Sequence, residues 1–467
     1  MYPLEEATIA RLQRDLSDGK VTSRGLVLGY LERIARIDSV PGGLNSVLEV
    51  NPEALSIADR LDRMRAEGKV LSGMHGIPVL LKDNINTADR LHTSAGALAL
   101  KDHFAAQDAF LVSRLREAGA LILGKANMTE YANYMSYHMP GGYSSRGGQV
   151  ICPYDPAVNP MGSSSGSAVS ASASLCAAAV GTETSGSILY PAAVNGIVGL
   201  KPTAGLISRS GIFPISCTLD TAGPMARTVA DAAALLEAIA GEDEADPQTC
   251  RSNPQPYTAL LDRVPLRGLR IGISRISTQP EAAAQRIQAL LSLLQEEGAV
   301  FVEVRPFESV DGVQAIMRHE FRAAVDYYLS RERADVATLS DIVLFNQQNA
   351  PTALRYGQQR MVDAHNDSSA RHIDPPYLQT LIDRERDAQA LDALFEEKSL
   401  DLILMTDRTN YPAYSGFPAL NLPLGRGEDG LPVCSLWMAR RFDEARLLAA
   451  AHQVEQRLGP RFAPTLG

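Results

Sequence analysis

The chain has 467 residues, of which 45% are hydrophobic and 21% charged, with a formal net charge of −10. That length can bury a large core, and the composition excludes a disordered chain. The acidic balance argues against a nucleic-acid or anionic-membrane partner.

In chain order, Ile9, Leu12 and Leu16 repeat at helical spacing and end near Gly19. Ser23 is the expected cap of a second helix carrying Leu26, Leu28, Tyr30, Leu31 and Ile34, and Asn51-Pro52 the expected start of a third. Ile77 to Leu81 reads as a buried strand, Phe110 to Ala118 as a helix, and Ala120 to Leu123 as a strand. Residues 135–165 form a long loop rich in Gly, Pro, Ser and Tyr, of the kind that carries function. From Gly166 to Val180 the pattern reads as a helix of almost entirely small residues, hence closely packed on all sides. Thr228-x-x-Asp231 resembles a capping box opening a helix that ends near Gly241.

Gly241 to Leu269 reads as a linker. It is followed by strand Arg270 to Ser274, helix Glu281 to Glu297 and strand Val300 to Val304. Residues 311–398 read as mostly helical. Strands Leu402 to Met405, Ala419 to Leu422 and Val433 to Met438 precede a closing amphipathic helix, Asp443 to Leu458. Strands at both ends favour one large α/β domain, 1–467, with a mixed central sheet flanked by helices. No internal repeat is visible.

Two serine-glycine turns dominate the chemistry: Gly162-Ser163-Ser164-Ser165-Gly166-Ser167 and Gly181-Thr182-Glu183-Thr184-Ser185-Gly186-Ser187. Upstream, Lys82 follows Ile77-Pro78-Val79-Leu80-Leu81 with no polar break. A lysine drawn into such a place loses hydration and its pKa falls, so a neutral amine becomes available as a base. Two hydroxyls and one amine can activate a nucleophile without histidine, which predicts a serine-lysine hydrolase.

Three competing motifs fail on context. Gly119-Ala120-Leu121-Ile122-Leu123-Gly124-Lys125 has phosphate-loop spacing, but its middle is a buried strand and Ala126 stands where a hydroxyl is needed. Gly162-Ser163-Ser164-Ser165-Gly166 fits a nucleophile elbow centred on Ser164, but Pro160 precedes it where a strand is required. His319, His365, His372 and His452 offer no distinguishing context for a triad. Cys152, Cys176, Cys217, Cys250 and Cys434 show no C-x-x-C spacing, so neither a disulfide framework nor a zinc site is indicated.

Together the motifs resemble the amidase signature family. The match includes Gly76-Ile77-Pro78 with Lys82-Asp83, Leu123-Gly124-Lys125 with Asn127-Met128 and Glu130, and both serine turns. It also includes Gly199-Leu200-Lys201-Pro202-Thr203 and Asp220-Thr221-Ala222-Gly223-Pro224-Met225-Ala226-Arg227. Weaker similarity extends over nearly the whole chain, with a core signature region at 70–240 and a C-terminal part, 270–467, completing the sheet and pocket. The resemblance implies Ser187 as nucleophile, Ser163 as a bridging serine held by a cis peptide, and Lys82 as base. It implies an oxyanion hole from the backbone N–H groups of Thr184, Ser185, Gly186 and Ser187, and a substrate cavity at Tyr131, Ala132 and Asn133.

The chain departs from the common family pattern where Ser165 and Ser185 replace glycines and Leu189 replaces an arginine. The missing arginine leaves Glu183 without its usual partner and speaks against the glutamine-hydrolysing component of a tRNA amidotransferase. The local pattern looks closest to the peptide-amidase branch. The expectation is a cofactor-free, metal-free amidohydrolase acting on a linear carboxamide, either a C-terminal peptide amide or a small aliphatic or aryl amide. An esterase or aryl-acylamidase with the same triad, and a weakly active amidase-like scaffold, are the alternatives. The N-terminus lacks an apolar signal core and no run of about 18 apolar residues occurs. A cytoplasmic placement is therefore expected, and the sequence leaves monomer and homodimer both open.

Overall fold

The computed structural model describes residues 2–274, 281–367, 372–405 and 408–466. Part of the expected helical stretch 311–398, residues 368–371, lies outside them.

The early chain obeys its apolar spacing. Ile9–Ser17 is a helix that buries Ile9, Leu12 and Leu16. The second helix, Ser23–Arg33, is capped by Thr22 rather than Ser23, because the Thr22 side chain accepts from the Gly25 N–H. The third, Ala54–Ala66, starts later than expected, since Asn51 and Pro52 form the turn before it and Asn51 Oδ1 accepts from the Glu53 N–H. Thr228 caps Val229–Ile239, but only half of a capping box forms: Asp231 Oδ1 accepts from the Ile9 N–H instead, tying this helix to the first.

The strands in chain order are β1 (Val47–Val50), β2 (Pro78–Lys82), β3 (Leu121–Ala126), the short hairpin β4 (Tyr143–Ser144) and β5 (Gly148–Gln149), and β6 (Ala178–Glu183). They continue with β7 (Val198–Lys201), β8 (Thr221–Ala226), β9 (Arg270–Ser274), β10 (Val300–Val304), β11 (Leu402–Met405), β12 (Ala419–Arg426) and β13 (Pro432–Ala439). Among the described residues, 11 strands form one mixed sheet in the order β1-β3-β2-β6-β8-β7-β12-β13-β11-β9-β10. The C-terminal strands join it where β12 pairs antiparallel with β7, Leu420 opposite Leu200. This is the single α/β domain that the sequence predicts. The hairpin lies inside the long 135–165 loop.

One expected element is corrected. The small-residue run 166–180 is not one helix: the helix is Ser165–Ser172, Ser174 takes a left-handed φ of 54°, and Ala178 already belongs to β6. Ala and Val are tolerated in a buried strand as well as in a helix, so a short apolar run does not specify which. Pairing with β2 decides it, with Val79 opposite Ala178 and Leu81 opposite Val180. The linker region 241–269 also holds a 3-10 turn, Pro247–Arg251, and a short helix, Tyr257–Leu260.

Helix Ser165–Ser172 is buried along its whole length. Gly166 shows why it must be lean: a Cβ there would lie 2.2 Å from the Asn127 carbonyl oxygen and 2.4 Å from that of Ser46. The helix can therefore pack directly on backbone, which brings the 162–165 turn over the ends of β2 and β6. Among the described residues no helix is long and apolar enough to cross a membrane.

Candidate active site

Parallel β2 and β6 are neighbours, so their C-terminal ends deliver Lys82 and Thr182 to the same place. Lys82 is fully buried. Its Nζ lies 2.7 Å from Ser163 Oγ, 2.8 Å from Thr182 Oγ1 and 3.1 Å from the Thr182 carbonyl oxygen. A neutral amine has one lone pair and two N–H bonds, which matches one hydroxyl donor and two acceptors. Burial lowers the Lys82 pKa from 10.5 to about 7, against the opposing pull of Asp220 and Glu183.

Ser163 sits in a tightly held turn. The Gly162–Ser163 peptide is cis. The Ser163 carbonyl accepts from the Thr129 N–H at 3.0 Å. Ser165, one of the departures from glycine, donates its hydroxyl to the Met161 carbonyl and braces the same turn. Ser164, centre of the elbow-like motif, is spent on structure: its Oγ donates to the Thr182 carbonyl at 3.0 Å and accepts from the Thr182 N–H at 3.2 Å.

The second turn folds back onto the first. The Ser164 N–H donates to the Ser187 carbonyl at 3.2 Å. Ser187 is buried, with 9% of its surface exposed. Among the described residues no hydrogen bond joins Ser187 Oγ to Ser163 Oγ, so only the Lys82–Ser163 half of the expected relay is bonded. Gly186 has φ 90°, a left-handed value that favours glycine, and a Cβ there would lie 2.5 Å from the Tyr190 ring. The N–H groups of Thr184, Ser185 and Ser187 donate to no protein acceptor among the described residues. The Gly186 N–H leans toward the Glu183 carboxylate and favours its charged form. Leu189 packs into an apolar cluster with Phe417 and Met438.

Tyr131, Ala132 and Asn133 are three consecutive left-handed residues, with φ of 49°, 53° and 70°. Tyr131 is buried against Phe213, ring centroids 5.5 Å apart, while the Asn133 carbonyl accepts from Arg360. Ala132 lines a cavity of about 790 Å³ whose walls include Asn84, Thr182, Thr184, Phe213 and Asp220.

Three site residues escape the sequence reading. Thr182 holds Lys82 through two oxygens. Asn84 donates from Nδ2 to Thr182 Oγ1 at 3.1 Å. Asp220 accepts from Thr184 Oγ1 and from the Ile215 and Ser216 N–H groups. Burial pushes its carboxyl up to about 6. All three lie within or beside the quoted motifs; what is missing from sequence is the side-chain geometry that selects them. Lys125 of the phosphate-loop lookalike is buried in β3 and donates to the Ile85 carbonyl and Thr93 Oγ1, a structural role. His319 stacks on Tyr377, centroids 4.0 Å apart, and His365 bonds to Ser340, in the helical segment.

The amidase family model matches residues 26–412. Over 97% of its length the chain is 36% identical to a probable amidase of Arabidopsis thaliana, covering 90% of that protein. It is 32% identical to a putative amidase of Schizosaccharomyces pombe over 99% of its length, covering 87% of that protein. Among solved structures, the native peptide amidase from Stenotrophomonas maltophilia superposes with a TM-score of 0.94 at 41% identity over 99% of both chains. An amidase family protein from Bacillus anthracis superposes at 0.93 with 37% identity, covering 99% of this chain and 92% of that one. Fold and relatives together define a hydrolase of amide C–N bonds. The chain belongs to the amidase family.

Proposed function

We propose that this amidase hydrolyses linear carboxamides through a Ser187 acyl-enzyme, with Ser163 as relay and Lys82 as base. The observation that carries this reading is the wholly buried Lys82 amine within hydrogen-bond distance of Ser163 Oγ. An amide is a poor electrophile and a serine hydroxyl near pH 7 is a weak nucleophile. Neutral Lys82 accepts the Ser163 proton while Ser163 accepts that of Ser187, and Ser187 Oγ attacks the carbonyl carbon. The relay closes once Ser187 Oγ swings to within about 3 Å of Ser163 Oγ, as catalytic contacts do when substrate binds. Reversal delivers the proton to the departing nitrogen, and water then cleaves the acyl ester by the same route. The open amides of Thr184, Ser185 and Ser187 meet the developing oxyanion; one such donor is worth about 3–4 kcal/mol.

The substrate class we assign is the C-terminal peptide amide, with small aliphatic or aryl amides as the poorer group. Likeness to the peptide amidase over the full length of both chains supports this. We take residues 70–240 as the catalytic core and 270–467 as the part that completes the pocket. The test is a panel of peptide amides, aliphatic amides, anilides and matched amide–ester pairs. Ammonia release fastest from peptide amides, and lost in Ser187→Ala, is the expected result. Ester cleavage with no amide turnover would replace the reading by an esterase.

A further inference from the structure

Glu183 is the last residue of β6 and is buried. Its Oε2 accepts from the N–H groups of Ile188 at 2.7 Å and Leu189 at 3.0 Å. These are the first amides after Ser187, so one carboxylate oxygen spans the base of the Thr184–Ser187 excursion. Backbone bonds hold the other side: the Tyr190 N–H donates to the Gly186 carbonyl at 2.8 Å, and the Ser164 N–H to that of Ser187. The nucleophile's backbone is therefore fixed from before, after and across.

A carboxylate in this place needs a reason to stay charged. Burial raises the Glu183 pKa above its ordinary value, and the Leu189, Ile188 and Gly186 N–H groups and the Lys201 ammonium limit that rise. Lys201 is buried at the end of β7, separated from β6 only by β8, and donates to the Pro202 carbonyl at 2.8 Å. Glu183 Oε1 is buried without a hydrogen-bond partner among the described residues. Position 189, next to the carboxylate, holds an apolar leucine; the buried cation whose field favours the Glu183 charge is Lys201, two strands away, which also faces the buried Glu444.

We propose that Glu183 is a positioning residue for amide hydrolysis: it orients the 184–187 turn toward the scissile carbonyl, with Lys201 as its buried counter-charge. This rests on Ser187 being the nucleophile. Glu183 touches neither substrate nor the reacting atoms. Its effect falls on the transition state, because oxyanion donors act only within about 2.7–3.1 Å of the oxyanion and a shift of about 1 Å costs roughly a hundredfold.

The experiment uses the full chain, an N-acetylated dipeptide amide, and the rate of labelling by a fluorophosphonate. Glu183→Gln keeps the size and one acceptor oxygen but removes the charge. Its kcat should fall about a hundredfold and its labelling rate about tenfold, with KM within about threefold and the circular dichroism spectrum unchanged. Lys201→Met should lower kcat about tenfold alone and add almost nothing in the Glu183→Gln background, because the two charges act as a unit. A folded Glu183→Gln with kcat and labelling within about twofold of the parent overturns the proposal, as does a loss confined to KM. If Glu183→Gln does not fold, Lys201→Met decides, and an unchanged kcat overturns it. Ser187→Ala run in parallel separates the two readings: retained turnover there removes Ser187 as nucleophile, whereas a dead Ser187→Ala beside a fully active Glu183→Gln removes only the positioning role.

Discussion

Replacing Lys82 by methionine should kill the enzyme and stabilise the fold. Lysine in an unfolded chain titrates near 10.5, and burial moves Lys82 to about 7. Between those values the unfolded chain holds a proton that the native state does not, so native stability rises with pH across that window. Below about pH 7 the full penalty applies, about 5 kcal/mol at 1.36 kcal/mol per pH unit. Lys82→Met removes it but orphans Ser163 Oγ and takes one of two donors from Thr182 Oγ1, whose other donor is Asn84. That loss costs about 1–3 kcal/mol. The variant should therefore be more stable than the parent by about 2–4 kcal/mol near pH 6.5 and lose about 2–3 kcal/mol of that advantage by about pH 9. Urea unfolding followed by the fluorescence of the single, buried tryptophan, Trp437, measures both. Parent and variant stabilities that run parallel across this pH range would refute the argument that Lys82 is held by burial in a depressed state.

Three further outcomes follow from the same geometry. Because the base must be neutral, kcat/KM should rise with pH through an apparent pKa of about 7, and Asp220→Asn, which removes a carboxylate favouring the Lys82 ammonium, should move that limb to lower pH in a pH–rate profile. Gly186→Ala forces a side chain into a left-handed position and against the Tyr190 ring; kcat should fall about a hundredfold, and Tyr190→Ala in the same chain should restore only part of it in steady-state assays. Arg227 is buried and donates to the carbonyls of Ala171, Cys176 and Ala7, tying the serine helix to the N-terminus, so Arg227→Met should cost about 3–5 kcal/mol in urea unfolding.

Local pattern carries the elements whose apolar periodicity is unambiguous. Helices Ile9–Ser17 and Phe110–Glu117 and strands β2 and β9 stand within a residue or two of their sequence reading. The reading fails at 173–180, where small residues suit either backbone and only the neighbouring strands choose. It also passes over β7 and β8, since Val198–Lys201 and Thr221–Ala226 are short and interrupted by Gly and Pro. At the site, Lys82 and Ser163 are legible as types in revealing contexts, but their meeting across 81 residues is a product of the sheet. Thr182 and Asn84 carry no distinguishing sequence signal; Thr182 matters because parallel β2 and β6 put it beside the Lys82 amine, and Asn84, just past β2, because it bonds Thr182 Oγ1. Glu183 looks unpaired in sequence, and only the fold reveals the backbone amides of Ile188 and Leu189 that it serves.

The most direct measurement is mass spectrometry of the full-length protein after fluorophosphonate treatment, with the modified peptide sequenced, in the parent and in Lys82→Ala and Ser163→Ala. One adduct, on Ser187, that forms far more slowly in both variants is the predicted result. An adduct on another serine, or labelling of Ser187 at the parental rate without Lys82, would contradict the relay.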